Sequence, residues 1–164
     1  DSESKDDFVI RMKNTFVELE DYWKDIYYKE MGAKFGFTVI QLQERSYIDK
    51  FLKTLESENR DFTNTFYQLG AYDFPSEELK DEWKEIVGGE SIRAIELMGK
   101  SNPYIIPRNH QVEKAIQDAY SGDFEHFNTL LSALNKPYQF NDKFKYLMTS
   151  PTPDEIVRQT FCGT

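Results

Sequence analysis

The class of fold is decided by residues 8–31, which read FVIRMKNTFVELEDYWKDIYYKEM. Large apolar side chains recur in this stretch at steps of three or four residues, which is the spacing of one face of an α-helix. These residues are Phe8, Met12, Phe16, Leu19, Trp23, Ile26 or Tyr27, and Met31. Ser4 and Asp7 form a candidate capping pair at the start, and Gly32 and Gly36 mark the end. The pattern therefore predicts one long helix.

The apolar stripe of this first helix has three interpretations. Helix-spaced aromatic residues usually face a hydrophobic core, and we favour that interpretation. A ligand groove is the second. The sequence begins with Asp1 rather than Met, so we expect a piece of a longer protein. In such a piece, part of the stripe could instead face a missing partner domain.

Helical spacing of apolar residues continues downstream and predicts about seven helices in total. The second helix is expected over about 43–58. Asp61 and Ser76 are candidate N-caps of the third and fourth helices, and Gly88-Gly89 should end the fourth. Strand-like alternation is scarce. The sequence predicts an all-α fold, an irregular multi-helix domain.

A different pattern occupies residues 102–110, which read NPYIIPRNH. Its two prolines disfavour helix, so we expect an extended, well-packed connector. Asn109 is a candidate cap of the sixth helix, and the Ser121-Gly122-Asp123 turn should join it to the seventh as a hairpin. Upstream, a boundary near 74–76 would divide the chain into 1–74 and 75–164, which we expect to form one compact unit.

Composition limits the possible functions. Aromatic residues make up 15% of the 164 residues, enough to fill a core, which argues against disorder. The net charge of −9 disfavours general nucleic-acid binding, because an acidic chain gains nothing from counterion release. Apolar runs are too short for a transmembrane helix. One cysteine excludes a disulfide framework within the chain.

The sequence shows no recognisable catalytic, cofactor or metal motif. A phosphate-binding loop is missing, and His110 and His126 lack metal-ligand spacing. The acidic pairs Glu77-Glu78 and Asp81-Glu82 could serve as general acids and bases, but a solvated charged surface is the favoured interpretation. We therefore predict no catalytic residue, cofactor site or metal site in this chain.

Two other candidate sites remain. Arg108, Asn109 and His110 could bind an anion at a helix N-terminus. The favoured alternative is structural, with Asn109 as the cap and Arg108 tying the connector to a carboxylate or to carbonyls. Cys162 lies two residues from the last position, where access is easy, so it is a candidate redox residue; a buried apolar role is the alternative.

Several ordered motifs resemble the C-terminal region of the selenoprotein O (YdiU) family. The most specific are residues 102–110, the Ser121-Gly122-Asp123 turn, Pro137-Tyr138 and the ending TFCGT at 160–164. Upstream, MGAKFGF at 31–37 and DFTNTF at 61–66 look like the segment that precedes this region in the family. The resemblance covers about residues 31–164.

The resemblance implies an enzyme parent with a protein-kinase-like fold, of which this chain would be the C-terminal part. Family members are protein adenylyltransferases, which move AMP from ATP to protein hydroxyls with magnesium. Their nucleotide and metal residues lie in the larger N-terminal part, and none of those motifs is found here. The chain itself would then be structural or regulatory, and whether it is an enzyme stays open.

The resemblance also implies partners, a location and one functional residue. The expected partners are the N-terminal kinase-like part and the parent's protein substrates, without nucleic acid or membrane. The family suits bacterial cytoplasm, or a mitochondrion in a eukaryote. Cys162 matches the family's redox-active third-last residue, with a cysteine of the kinase-like part as its candidate partner; the second Cys that some relatives carry near the end is missing. The alternative function is a stand-alone helical interaction module.

Overall fold

The computed structural model describes residues 5–89 and 91–156. Within them the chain forms seven α-helices and two 3-10 helices, and none of these residues lies in a strand. The α-helices are α1 (Lys5–Lys34), α2 (Leu42–Ser57), α3 (Phe62–Leu69), α4 (Glu77–Val87), α5 (Ile92–Ser101), α6 (Asn109–Tyr120) and α7 (Glu125–Leu134). The 3-10 helices are Asp142–Met148 and Pro153–Glu155. The all-α prediction is confirmed.

Most helix boundaries follow the local signals in the sequence. Asp61 caps α3 by accepting a hydrogen bond from the amide of Asn64 at 2.8 Å. The hydroxyl of Ser76 does the same for α4 with the amide of Leu79, at 3.2 Å. Gly88 ends α4 in the left-handed conformation that glycine adopts at least cost. The predicted cap Ser4 lies outside the described residues.

The main core lies where the C-terminal end of α1 meets α2, α3, α4 and α5. Phe35 is fully buried there, and its ring contacts the rings of Tyr47, Phe51 and Phe66 at centroid distances of 5.3, 4.8 and 5.0 Å. The indole of Trp83 donates a hydrogen bond to the carbonyl oxygen of Phe35 at 2.7 Å. Edge-to-face aromatic contacts add to apolar burial, so this cluster fixes the end of α1.

A tight turn at Gly36 brings the chain back after α1. Its φ of +76° favours glycine, and a Cβ at this position would lie 2.5 Å from the carbonyl oxygen of Ala94. Gly36 therefore ends the helix, as predicted, and allows α5 to approach closely. Gly32 lies inside the last turns of α1 instead of ending it.

The prediction that the α1 stripe belongs to the core is wrong for most of its length. Phe16 is 63% exposed and Trp23 is 59% exposed, whereas Met31 at the C-terminal end is buried. The described hydrogen bonds from α1 to other helices begin at Asp25, which pairs with Arg45 of α2 at 2.6 Å. Spacing alone identifies an apolar face correctly but does not show which element covers it.

A second cluster is built on the extended connector. Tyr104 and Ile105 are buried against Leu130 of α7 and Leu147 of the first 3-10 helix. The amide of Tyr104 donates to the carbonyl oxygen of Pro137 at 2.9 Å. The predicted packed connector is therefore confirmed. No helix among the described residues combines the length and the hydropathy needed to cross a lipid bilayer.

Candidate functional site

A cluster of polar side chains lies where the connector meets the N-terminus of α3. Arg108 is buried, and its guanidinium donates to both carboxylate oxygens of Asp61. The Nη1–Oδ2 distance is 2.7 Å and the Nη2–Oδ1 distance is 2.9 Å. Nη2 also lies 3.2 Å from Oδ1 of Asn64. This two-point geometry is the strong form of an arginine–carboxylate pair.

Asp61 is the hub of this cluster. Its carboxylate caps α3, pairs with Arg108 and accepts a hydrogen bond from the hydroxyl of Ser150 at 2.7 Å. The side-chain amide of Asn64 donates to the carbonyl oxygen of Met148 at 3.1 Å. The start of α3 thus holds both the connector and the segment that follows the first 3-10 helix, across sequence separations of 44 to 89 residues.

The electrostatics of Asp61 reflect these contacts. Partial burial by itself would raise the pKa of Asp61. The hydrogen bonds from Arg108, the amide of Asn64 and Ser150, together with the charge of Arg108, outweigh burial and lower the pKa to about 2. The carboxylate is therefore ionised in the folded protein at neutral pH.

The geometry of Arg108 bears on the two interpretations of this motif. Three of the five N–H donors of its guanidinium are used by the side chains of Asp61 and Asn64. The observed contact ties the connector to a carboxylate, as the structural interpretation requires.

Asn109 and His110, the other two residues of this candidate site, take no part in the described hydrogen bonds between Arg108 and Asp61. The prediction that Asn109 caps α6 is wrong: α6 begins at Asn109 itself, and Arg108 is the N-cap residue. The cap moves by one position because Arg108 keeps an extended backbone after Pro107, and its carbonyl accepts the first helical hydrogen bonds. His110 is buried, and its Nδ1 has no partner among the described residues.

The acidic pairs of α4 lie on a surface with a basic neighbour. Lys50 of α2 donates to Glu78 and to Glu82, each at 2.7 Å. These hydrogen bonds raise the pKa of Lys50 to about 12. The side chain of Glu78 is 78% exposed and that of Glu82 is 34% exposed, so both carboxylates are in contact with solvent. Within residues 5–89 and 91–156, histidine, cysteine and acidic side chains form no cluster of three that could hold a metal ion.

An open groove of about 720 Å³ lies beside the polar cluster, between α3 and the 3-10 helix Asp142–Met148. Tyr67 and Phe140 stack along it with ring centroids 6.3 Å apart, and Gln68 and Lys145 complete its polar edge. This lining provides aromatic rings, hydroxyl and amide groups, and one ammonium group.

Sequence reasoning found Arg108 but missed its partner. Asp61 carried a local capping signal only, and nothing in the sequence pairs it with residues 108 and 150. Cys162, the predicted redox residue, lies outside the described residues.

Comparison with known proteins gives the family. No family model matches the chain. The relatives that match include bacterial proteins named protein nucleotidyltransferase YdiU. One from Clostridium perfringens strain SM101 is 32% identical over 171 residues, covering 97% of this chain and 35% of the relative. One from Roseobacter denitrificans is 36% identical, and the match covers 90% of this chain and 32% of the relative. One from Bacillus mycoides is 35% identical, with the same coverage.

The chain belongs to the family of these relatives, the YdiU or selenoprotein O family, as the motifs in its sequence indicate. It spans about one third of the length of the curated relatives it matches.

Proposed function

We propose that this chain is the C-terminal helical region of a selenoprotein O-like protein adenylyltransferase, which transfers AMP from ATP to hydroxyl side chains of proteins. The observation that carries the proposal is the match of 97% of the chain to 35% of a protein named nucleotidyltransferase. The parent would have a kinase-like fold and use ATP and magnesium, whose ligands lie outside this chain. Bacterial cytoplasm is the proposed location, since the relatives are bacterial.

The chain's own role in this proposal is structural and regulatory. Support comes from the polar cluster, in which one carboxylate, Asp61, holds together the connector, α3 and Ser150. A fixed set of helices can brace the kinase-like part while nucleotide chemistry takes place there. The partners are that kinase-like part and the parent's protein substrates.

The regulatory element is Cys162. Oxidation would join its sulfur to the sulfur of a cysteine in the kinase-like part. The two thiols would lose two protons and two electrons to a disulfide oxidant such as oxidised glutathione, which is reduced to two thiols. Reduction would reverse the step.

The test of the transfer reaction uses the full-length protein, magnesium and ATP labelled at either the α or the γ phosphate. AMP transfer leaves the α label on protein substrates and releases the γ label with pyrophosphate. Protein labelling from α-labelled ATP alone is the expected result. Labelling from γ-labelled ATP would show phosphoryl transfer, and labelling from neither would refute the proposal.

A second candidate function is a stand-alone helical interaction module. The exposed apolar residues of α1 favour it, because such surfaces mark protein contacts. The full reading frame separates the two: a preceding kinase-like domain supports the adenylyltransferase, and a natural start near residue 1 supports the module.

A further inference from the structure

The α1 apolar face is an extended exposed surface. We define it as the stripe residues Phe8, Met12, Phe16, Leu19 and Trp23, each of which is exposed. The stripe lies outside both hydrophobic clusters, and the first described hydrogen bond to another helix comes after it, at Asp25.

The far end of the same helix is held by packing and by a hydrogen bond. Phe35, just past α1, is enclosed by rings from α2 and α3, and the ammonium group of Lys34 donates to the carbonyl oxygen of Ser101 at 3.0 Å. The α1 apolar face therefore lies on the part of the helix that extends away from its packed C-terminal end. Most of the stability of a helix in a protein comes from packing of its amphipathic face, so a covering surface would stabilise the first turns of α1.

We infer that the α1 apolar face packs against the kinase-like part of the same polypeptide. This inference rests on the proposed function and adds the surface through which the two parts meet. The match to 35% of a relative leaves about two thirds of such a protein without a counterpart here, which is ample material to cover the stripe. A covalently linked partner also avoids most of the entropy loss of association between separate molecules.

A second copy of this chain fits the surface less well. The stripe from Phe8 to Trp23 is roughly 22 Å long at 1.5 Å per residue. That is little more than two heptads, below the three to four or so that sustain a coiled coil. Pairing of two such stripes alone would therefore give a short seam.

Photocrosslinking in the full-length protein tests this inference. Phe16→p-benzoylphenylalanine places the probe on the α1 apolar face and keeps an aromatic side chain there. Val17→p-benzoylphenylalanine is the matched control, because Val17 is adjacent and 58% exposed but lies off the stripe. After irradiation, peptide mapping should show the probe at position 16 bonded within the same polypeptide to residues outside these 164, with a yield severalfold above that at position 17.

Three outcomes would overturn the inference: crosslinks from position 16 only between two copies, equal yields at both positions, or no crosslink at position 16. The labelled-ATP assay on the same preparation separates the two proposals. A crosslink to the kinase-like part without AMP transfer would support the proposed interface and refute the proposed function. AMP transfer without that crosslink would support the proposed function and refute the proposed interface.

Discussion

Arg108 and Asp61 are 47 positions apart in the sequence, and their side chains meet in a two-point ion pair. The pair joins the proline-bounded connector to the first turn of α3. Because Ser150 donates to the same carboxylate, one acidic side chain positions three distant segments. We therefore expect the stability of this cluster to depend on these side chains and on pH.

Asp61→Asn should destabilise the chain by about 3 kcal/mol, because it leaves the buried guanidinium of Arg108 without a counter-charge. The free energy of unfolding from urea titration measures this. Glu58→Gln is the matched control, since Glu58 pairs with Arg60 on the surface and should contribute less than about 1 kcal/mol. Equal effects of the two substitutions would show that the Asp61 cluster is an ordinary surface contact.

Arg108→Lys should retain part of the stability. Lysine keeps the positive charge but cannot contact both carboxylate oxygens in the planar two-point geometry. We expect a loss of about 1 to 2 kcal/mol, smaller than that of Asp61→Asn. Urea titration of both variants gives the order, and a larger loss for Arg108→Lys would contradict this account.

Acid should weaken the fold through Asp61. The pKa of this group is lowered from 3.8 to about 2 by folding, so the unfolded chain binds the proton more readily. Its stabilising contribution is therefore fully present above about pH 4 and is lost as the pH falls towards 2. Unfolding free energies between pH 5 and 2 should fall less steeply in Asp61→Asn than in the wild type. If the unfolding free energies of the wild type and of Asp61→Asn fell equally with pH, the acid sensitivity would come from other groups.

Trp83→Phe should destabilise the main core by about 2 kcal/mol, because the buried carbonyl of Phe35 loses its donor and a cavity forms. Trp23→Phe makes the same chemical change on the exposed α1 apolar face, where we expect less than about 0.5 kcal/mol in the 164-residue chain. Thermal unfolding of the two variants measures the contrast. Similar losses would mean that Trp23 is already covered.

Cys162→Ser should remove the redox dependence of AMP transfer in the full-length protein. Serine cannot form the proposed disulfide, and Cys162 is the single cysteine of these 164 residues. Transfer rates measured with oxidised and with reduced glutathione should differ in the wild type and coincide in the variant. A variant that still responds to the oxidant would remove the regulatory role from Cys162.

Local signals were sufficient for much of the fold. Asp61 and Ser76 cap their helices through contacts three residues away, and Gly88 ends α4 by its own backbone conformation. Such interactions depend on neighbouring residues, which is why they can be predicted. The Asn109 cap was missed by one position, because Arg108, which has an extended backbone and pairs with Asp61 far away in the sequence, takes the cap position.

The sequence by itself determined the helical class, the positions of the turns and the membership of the YdiU family. Helical spacing, capping residues and short motifs all depend on residues that are close together in the sequence. Only the tertiary structure decided that Arg108 faces Asp61 and that Phe16 and Trp23 lie in solvent while Phe35 is buried. An apolar stripe looks the same in sequence whether the chain covers it or leaves it open. The difference depends on which distant segments fold against it.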